Sequence, residues 1–290
     1  MGALIAGVAI VSTAALLIRF ALQAGAWPME IAAARLCLAA LLMWPIAAGV
    51  HGMSVVRAVS RRLDRSLFLW IGLAGLSLGA HFALWISSLD HTSVASSVAL
   101  VTTNPIWVAL AAWLFFGERP KARIWLAIGL SMLASLFISW HEFSDQASSS
   151  RLWGNFLALL GAMAMSGYLL AAKAVQARLP DLPLLLYVAA VYSVAAMAVS
   201  LLTALTGKPW WKLAEPAWPA LVVLAIGPQL LGHTLINFAL RKLSPTTVAI
   251  AILGEPVGAA LLAWMMLGES IQPGQIAGFV LIVGAVILAR

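Results

Sequence analysis

Apolar residues run through this chain in long blocks separated by short polar gaps. The first block, "ALIAGVAIVSTAALLIRFALQ", covers Ala3 to Gln23, and nine more follow at roughly 28–48, 66–89, 93–115, 124–140, 152–173, 183–206, 219–240, 246–267 and 274–289. A helix that crosses the hydrocarbon core of a bilayer needs about 20 mainly apolar residues. Barrel strands would be shorter and would alternate apolar with polar positions, whereas these blocks are continuous and rich in Ala and Leu. In lipid every backbone group needs an internal partner, which a helix supplies. The pattern predicts an all-α integral membrane protein with ten transmembrane helices. The opening block lacks a basic leader and is too long for a cleaved signal, so it is read as the first span.

The polar gaps orient the spans. With the N-terminus inside, the inner loops receive Arg57, Arg61, Arg62, Arg65, Arg119, Lys121, Arg123, Lys173, Arg178, Arg241, Lys242 and Arg290. The outer loops keep Arg151, Lys208 and Lys212, beside Glu142, Asp145 and Glu215. Basic residues gather on the cytoplasmic side of membrane proteins, which predicts both termini in the cytoplasm. Trp44, Trp70, Trp125, Trp140, Trp153, Trp211 and Trp218 fall near the block ends, where an aromatic belt would place them.

Composition sharpens this picture. Of 290 residues, 63% are hydrophobic and 9% charged, against about 25% charged in an ordinary globular domain. The net charge of +7 does not indicate nucleic acid, because the charges sit in gaps between apolar blocks rather than on one face. Cys37 is the one cysteine, which excludes a disulfide framework within the chain.

The blocks also repeat. The polar linker "HEFSDQASSSR" (141–151) divides the chain near its middle, giving halves of 1–145 and 146–290. "NPIWVALAAWLFFGERPKARIWLAIGL" from Asn104 aligns with "EPVGAALLAWMMLGESIQPGQIAGFVL" from Glu255 at an offset of 151, so that Pro105 meets Pro256 and Gly117-Glu118 meets Gly268-Glu269. One helix earlier, Ser77, His81 and Trp85 correspond to Gln229, His233 and Asn237. Five spans per half is an odd number, so the second copy enters the membrane upside down. Accordingly the basic "GERPKAR" turn belongs inside and its twin "GESIQP", which carries no Lys or Arg, outside. Inverted repeats are a signature of secondary transporters, whose sites lie at the repeat interface near midplane.

Ten spans in a five-plus-five repeat, "WPMEIAAARLCLAALL" in the second span and the paired P-x(11)-GE elements resemble the drug/metabolite transporter superfamily, in particular its EamA-type branch. Over the whole chain the sequence is also similar to bacterial aromatic amino-acid exporters of the YddG type. The resemblance implies export of amino acids, aromatic and other neutral ones foremost, or of related metabolites, from the cytoplasm across the bacterial inner membrane by alternating access. A monomer is the expected working unit, with a dimer also compatible. No cofactor, metal or nucleic acid is expected.

Several side chains are candidates for the pathway. Glu255, midway through an apolar block and directly before Pro256, places a costly carboxylate beside a residue that cannot donate its backbone hydrogen bond. Asn104 and Pro105 repeat the arrangement in the first half. Either the two prolines hinge a polar pathway, or they are tolerated kinks beside a neutral or Arg-paired glutamate. Ser77, His81, Trp85 and Ser88 form one helical stripe and Gln229, His233 and Asn237 another. These stripes line a cavity, with His81, His233 and Glu255 as proton carriers, or else join neighbouring helices by hydrogen bonds. Trp107 aligns with Gly258, which gives either a bulky wall and a hole for an aromatic substrate or a simple knob against a small residue. Arg19 is expected to snorkel outward, to meet Glu30 or to attract a carboxylate. Arg35 lies deeper and fits the family's second-span pattern. Gly75 and Gly79 form a close-packing pair.

No P-loop, GxGxxG fingerprint or zinc-ligand spacing appears, and no soluble block is large enough to hydrolyse ATP. Transport would then draw on a gradient. A channel or facilitator for small metabolites and, from another class, an integral membrane enzyme using His81 and Glu255 as base and acid are the alternatives.

Overall fold

The computed structural model describes residues 2–117, 119–144, 149–268 and 270–288. Glu118, Asp145, Glu269 and Arg290 lie outside the described residues, as do the side chains of Trp140 and Glu142. In chain order the helices are α1 (Gly2–Val11), α2 (Ala14–Gln23), α3 (Pro28–His51), α4 (Met53–Arg61), α5 (Arg65–Leu89), α6 (Val94–Val101), α7 (Asn104–Phe116) and α8 (Ala122–Ser144). Then come α9 (Ser149–Arg178), α10 (Leu184–Leu205), α11 (Trp218–Leu224), a π-helical segment (Ala225–His233), α12 (Thr234–Leu240), α13 (Pro245–Ile252), α14 (Glu255–Leu267) and α15 (Pro273–Leu288). Among the described residues there is no strand.

Among the described residues, eight helical stretches are long and apolar enough to cross a membrane, and Ala122–Ile138 and Pro273–Ala285 are shorter apolar helices. Large apolar side chains such as Phe68, Leu114, Phe115, Leu126 and Val280 are exposed on the outside, as lipid rather than water requires. This is a multi-pass membrane protein. The helix α4 falls where a basic loop was expected; Val55, Val56 and Val59 are half-buried on one face while Arg57 and Arg61 face out, the pattern of a helix lying in the interface.

Among the described residues, three of the crossing stretches are broken near their middles and a fourth runs through a π-helical segment. α1 gives way to α2 at Ser12-Thr13, where both hydroxyls donate back to carbonyls of the preceding turn, Val8 at 2.9 Å and Ile10 at 2.8 Å. α6 gives way to α7 at Thr102-Thr103, whose hydroxyls do the same to Val98 (2.8 Å) and Leu100 (2.7 Å). Such back-bonds compete with the helix ladder. α13 gives way to α14 at Leu253-Gly254. The π-helical segment contains Pro228, which has no N–H for the regular ladder; the wider turn accommodates it.

Pro105 and Pro256 fall in the first turns of α7 and α14, where a missing N–H costs nothing. The sequence reading expected them to kink continuous helices; they start new ones instead. The two broken pairs match closely. Ser93 and Ser244 cap α6 and α13 by accepting from Ser96 N (3.2 Å) and Thr247 N (3.1 Å). Gly117 (φ 67) and Gly268 (φ 70) end α7 and α14 in the left-handed conformation, which glycine adopts without strain. That accounts for the glycine of each repeated GE element.

α5 packs along α9, α3 along α10, α8 along α15, and α1 against the π-helical segment and α12. α6 lies against α14 while α7 lies against α13, so these two broken stretches run antiparallel. Close approaches depend on small residues: a Cβ at Gly75 would sit 2.5 Å from Val194, and one at Gly278 would sit 2.5 Å from Ile138.

Candidate functional site

The helix breaks converge. Val11 and Ala14 flank the first, Thr102 and Asn104 the second, Ile252 and Glu255 the third, and His233 with Ile236 the end of the π-helical segment; all of them line one cavity of about 30 Å³. That holds a water or two and no organic substrate. His81 and Trp85 on α5 and Met165 on α9 complete its wall. Breaking a helix leaves backbone groups without their ladder, a state tolerated at membrane depth where the chain lines a cavity or is buried in protein.

His81 is buried, and its Nδ1 donates to the Gly161 carbonyl at 3.0 Å, which leaves Nε2 as the acceptor of the neutral ring. Its ring stacks on Trp85 with centroids 5.8 Å apart. The Trp85 indole N–H and the Asn104 side-chain oxygen have no hydrogen-bond partner. Glu255, 8% exposed, opens α14; its acidic group stands at a helix N-terminus, the end that favours negative charge. His233 lines the cavity across from His81, and its Nδ1 is unpartnered.

Other candidates lie behind this wall. The Asn237 side-chain nitrogen donates to the His233 carbonyl at 2.8 Å, fixing the helix beneath the imidazole rather than facing the cavity. Gln229 is fully buried, with both amide atoms unpartnered, and its carbonyl accepts the Tyr192 hydroxyl at 2.9 Å. Ser88 and Ser97 share a 2.6 Å hydrogen bond, and the Ser77 hydroxyl is packed against Gly167, so these members of the α5 stripe join helices.

Trp107 is placed elsewhere. It lines an open, apolar groove of about 690 Å³ between α5, α7 and α9, together with Trp70, Leu73, Leu114, Phe115 and Met163. The expected hole opposite it does not exist either: Gly258 faces Ser12, and a Cβ there would lie 2.6 Å from the Ser12 hydroxyl. Groove and cavity nonetheless share a wall, because Ser166 of the groove donates to the backbone carbonyl of Asn104 at 3.1 Å.

Arg35 was not among the sequence candidates for the cavity. It is fully buried on α3, and none of its three guanidinium nitrogens has a hydrogen-bond partner. Its guanidinium carbon lies 3.9 Å from the centroid of the Phe82 ring. The ring of Phe82 also meets His233 edge-on at 5.3 Å and His81 at 4.8 Å. Arg35 therefore stands one aromatic ring behind the cavity wall. An unpaired buried charge costs several kcal/mol, and cation–π contact offsets about 2 kcal/mol of that. The signal in the sequence was an arginine deep in an apolar block.

Arg19 is partly exposed. It donates to the Leu89 and Thr92 carbonyls at 2.7 and 3.0 Å, at the C-terminal end of α5 where a cation is favoured, while Glu30 accepts from its own helix start at Trp27 N (2.9 Å). Among the described residues no group of three or more His, Cys, Asp or Glu is placed to hold a metal ion.

Comparison with known proteins agrees with this architecture. The EamA-like transporter family matches residues 1–140 and 152–290. A probable 4-amino-4-deoxy-L-arabinose-phosphoundecaprenol flippase subunit ArnE of Yersinia pestis (strain Pestoides F) is 35% identical over 82 residues, 28% of this chain and 71% of that protein. The protein of the same description from Salmonella paratyphi C (strain RKS4594) is 38% identical over 69 residues, 24% of this chain and 62% of that one. A crystal structure superposes with a TM-score of 0.73 at 18% identity, over 99% of this chain and 95% of the other, and so speaks for the fold. With nearly its whole length matched and its broken helices meeting at a polar centre, the chain belongs to the EamA-like transporter family, a branch of the drug/metabolite transporter superfamily.

Proposed function

We propose that this transporter exports amino acids, aromatic and other neutral ones foremost, from the bacterial cytoplasm across the inner membrane by alternating access. In this reading ten spans form two inverted five-helix repeats, 1–145 and 146–290, with both termini in the cytoplasm. The pairing of elements supports it. Exchanging the halves turns the α5–α9 contact into that between α1 and the π-helical segment with α12, and returns α3–α10, α8–α15 and the crossing of α6–α7 with α13–α14 to themselves. A two-fold axis in the membrane plane produces such a set.

The observation that carries the reading is the convergence of three helix breaks and a π-helical segment on a small cavity whose walls hold His81, His233, Asn104 and Glu255. A narrow wet centre between two rocking halves is where alternating access requires the substrate site. Pro105 and Pro256, at the breaks, are the hinges, and Glu255, His81 and His233 are the candidate proton carriers. Uptake of labelled amino acids into proteoliposomes, with and without an imposed pH gradient, tests both parts. Saturable flux competed by phenylalanine is the expected result; flux that never saturates would instead indicate a channel.

One observation favours a second reading. The lateral groove along α5, α7 and α9 is apolar and open, which suits the tail of a lipid-linked cargo such as the phosphoundecaprenol compound in the names of the relatives, with the head group in the cavity. Movement of a labelled aminosugar phospholipid between leaflets, without amino-acid flux, would decide for it.

A further inference from the structure

Resting on the transport site just described, we infer that Arg35 and Glu255 are the two halves of a recognition pair for a zwitterionic cargo, Arg35 taking its anionic group and Glu255 its amine. Three observations carry this. The Arg35 guanidinium is wholly buried with all of its nitrogens unpartnered, so its charge-assisted hydrogen bonds await an anion. Glu255 lies on the cavity wall, and no hydrogen bond joins it to Arg35, whose guanidinium nitrogens are all unpartnered. Phe82 covers the guanidinium and touches both cavity histidines.

Arg35 behind Phe82 and Glu255 on the wall thus approach the same cavity without bonding to one another. A small molecule carrying both signs is the ligand that satisfies both at once. Its carboxylate or phosphate would meet the planar fork of Arg35, which is matched to either group. Its ammonium would meet the Glu255 carboxylate. A ligand with one charge would leave the other partner as it is now. Phe82 must swing aside for this contact, so the ring acts as a cover over Arg35 in the closed arrangement seen here, and the cavity of about 30 Å³ must widen. The shared chemistry, an amine with an anionic group, belongs to free amino acids and to aminosugar phosphates alike.

Thermal unfolding of the full-length protein in detergent separates these sources. The probes are phenylalanine and glucosamine 6-phosphate as zwitterions, phenethylamine and glucosamine as cations, and 3-phenylpropionate and glucose 6-phosphate as anions. At least one zwitterion is expected to raise the midpoint by about 3 °C or more, with its single-charge partners well below that. Arg35→Gln and Glu255→Gln should each erase the shift while still giving a monodisperse, cooperatively melting protein. Should Arg35→Gln not fold, Arg35→Lys, which keeps the charge and lacks the fork, should retain a reduced shift. No shift from either zwitterion, or equal shifts from the single-charge compounds, overturns the pair. A shift from glucosamine 6-phosphate and none from phenylalanine keeps the pair and overturns the amino-acid reading.

Discussion

The broken stretch α6–α7 and its counterpart α13–α14 share a backbone and differ in chemistry. Each is an eight-residue helix, a two-residue break and a thirteen-residue helix, capped by serine at one end and by a left-handed glycine at the other. At the first position after the break one carries Asn104 and the other Glu255; one turn on, one carries Trp107 and the other Gly258. Their neighbours explain the second difference. Trp107 fills part of an open, apolar groove, whereas Gly258 is pressed against Ser12 in the break between α1 and α2. The two stretches share the geometry of the break and differ at single positions in charge and shape. A symmetric scaffold with an asymmetric centre can bind a ligand that is itself asymmetric.

The comparison assumes that the two copies enter the membrane in opposite senses, and this has an all-or-none test. Single cysteines at Arg119 and Ser270, in the turns after Gly117 and Gly268, are expected to react with an impermeant thiol reagent from opposite faces, in a background where Cys37 is replaced by Ala. Reaction of both from one face would remove the inverted repeat and the transport reading with it.

Next in size is the contrast between the two residues that follow the breaks. Hydrogen bonds to a charged group contribute about 1.5–3 kcal/mol and neutral ones about 0.5–1.5 kcal/mol. Glu255→Gln is therefore expected to lower flux by about tenfold or more, with insertion and melting little changed, because the amide keeps the shape. Asn104→Ala should cost no more than about tenfold. Equal losses in proteoliposome flux would mean that the charge at Glu255 carries no special part.

How far these features were legible in the sequence follows from the range over which each is determined. Block length, the prolines and the left-handed glycines are local, so long apolar helices and special backbone at Pro105, Pro256, Gly117 and Gly268 could be read directly, although the prolines start helices rather than kink continuous ones. The tertiary neighbours could not. That the histidines, Asn104 and Glu255 meet at one cavity depends on which breaks face inward, and the placement of Trp107 in a groove depends on how α5, α7 and α9 splay. Arg35 stood out as a charge in an apolar block, but its cover by Phe82 joins residues of different spans. The amphipathic α4 and the π-helical turn were missed although their signals, Val55-Val56-Val59 and Gly227-Pro228, are local; the surrounding charges hid the first, and the apolar run hid the second.

A smaller effect probes the glycine side of the comparison. Gly258→Ala puts a methyl group 2.6 Å from the Ser12 hydroxyl, and overpacking of this kind costs about 1–3 kcal/mol. The melting midpoint should fall, and Ser12→Gly in the same chain should restore part of it, because the clash is with that one side chain. Trp107→Ala, at the matching position, empties part of an open groove and should lower the midpoint less. It should also weaken any preference for lipid-linked cargo more than the preference among free amino acids.

The smallest contrast lies in the caps. Ser93 and Ser244 do the same work at matching helix starts, and loss of such a cap costs about 0.5–2 kcal/mol. Ser93 is half-buried and Ser244 exposed, so water replaces the lost acceptor at Thr247 N more readily than at Ser96 N. Ser244 also shares a 2.9 Å hydrogen bond with the Thr247 hydroxyl, and that hydroxyl can turn to water when the partner is gone. Ser93→Ala is therefore expected to lower the melting midpoint more than Ser244→Ala does, by roughly 1 to 3 °C. The reverse order would show that burial does not set the strength of these caps, and that the two starts differ in how firmly the rest of each half holds them.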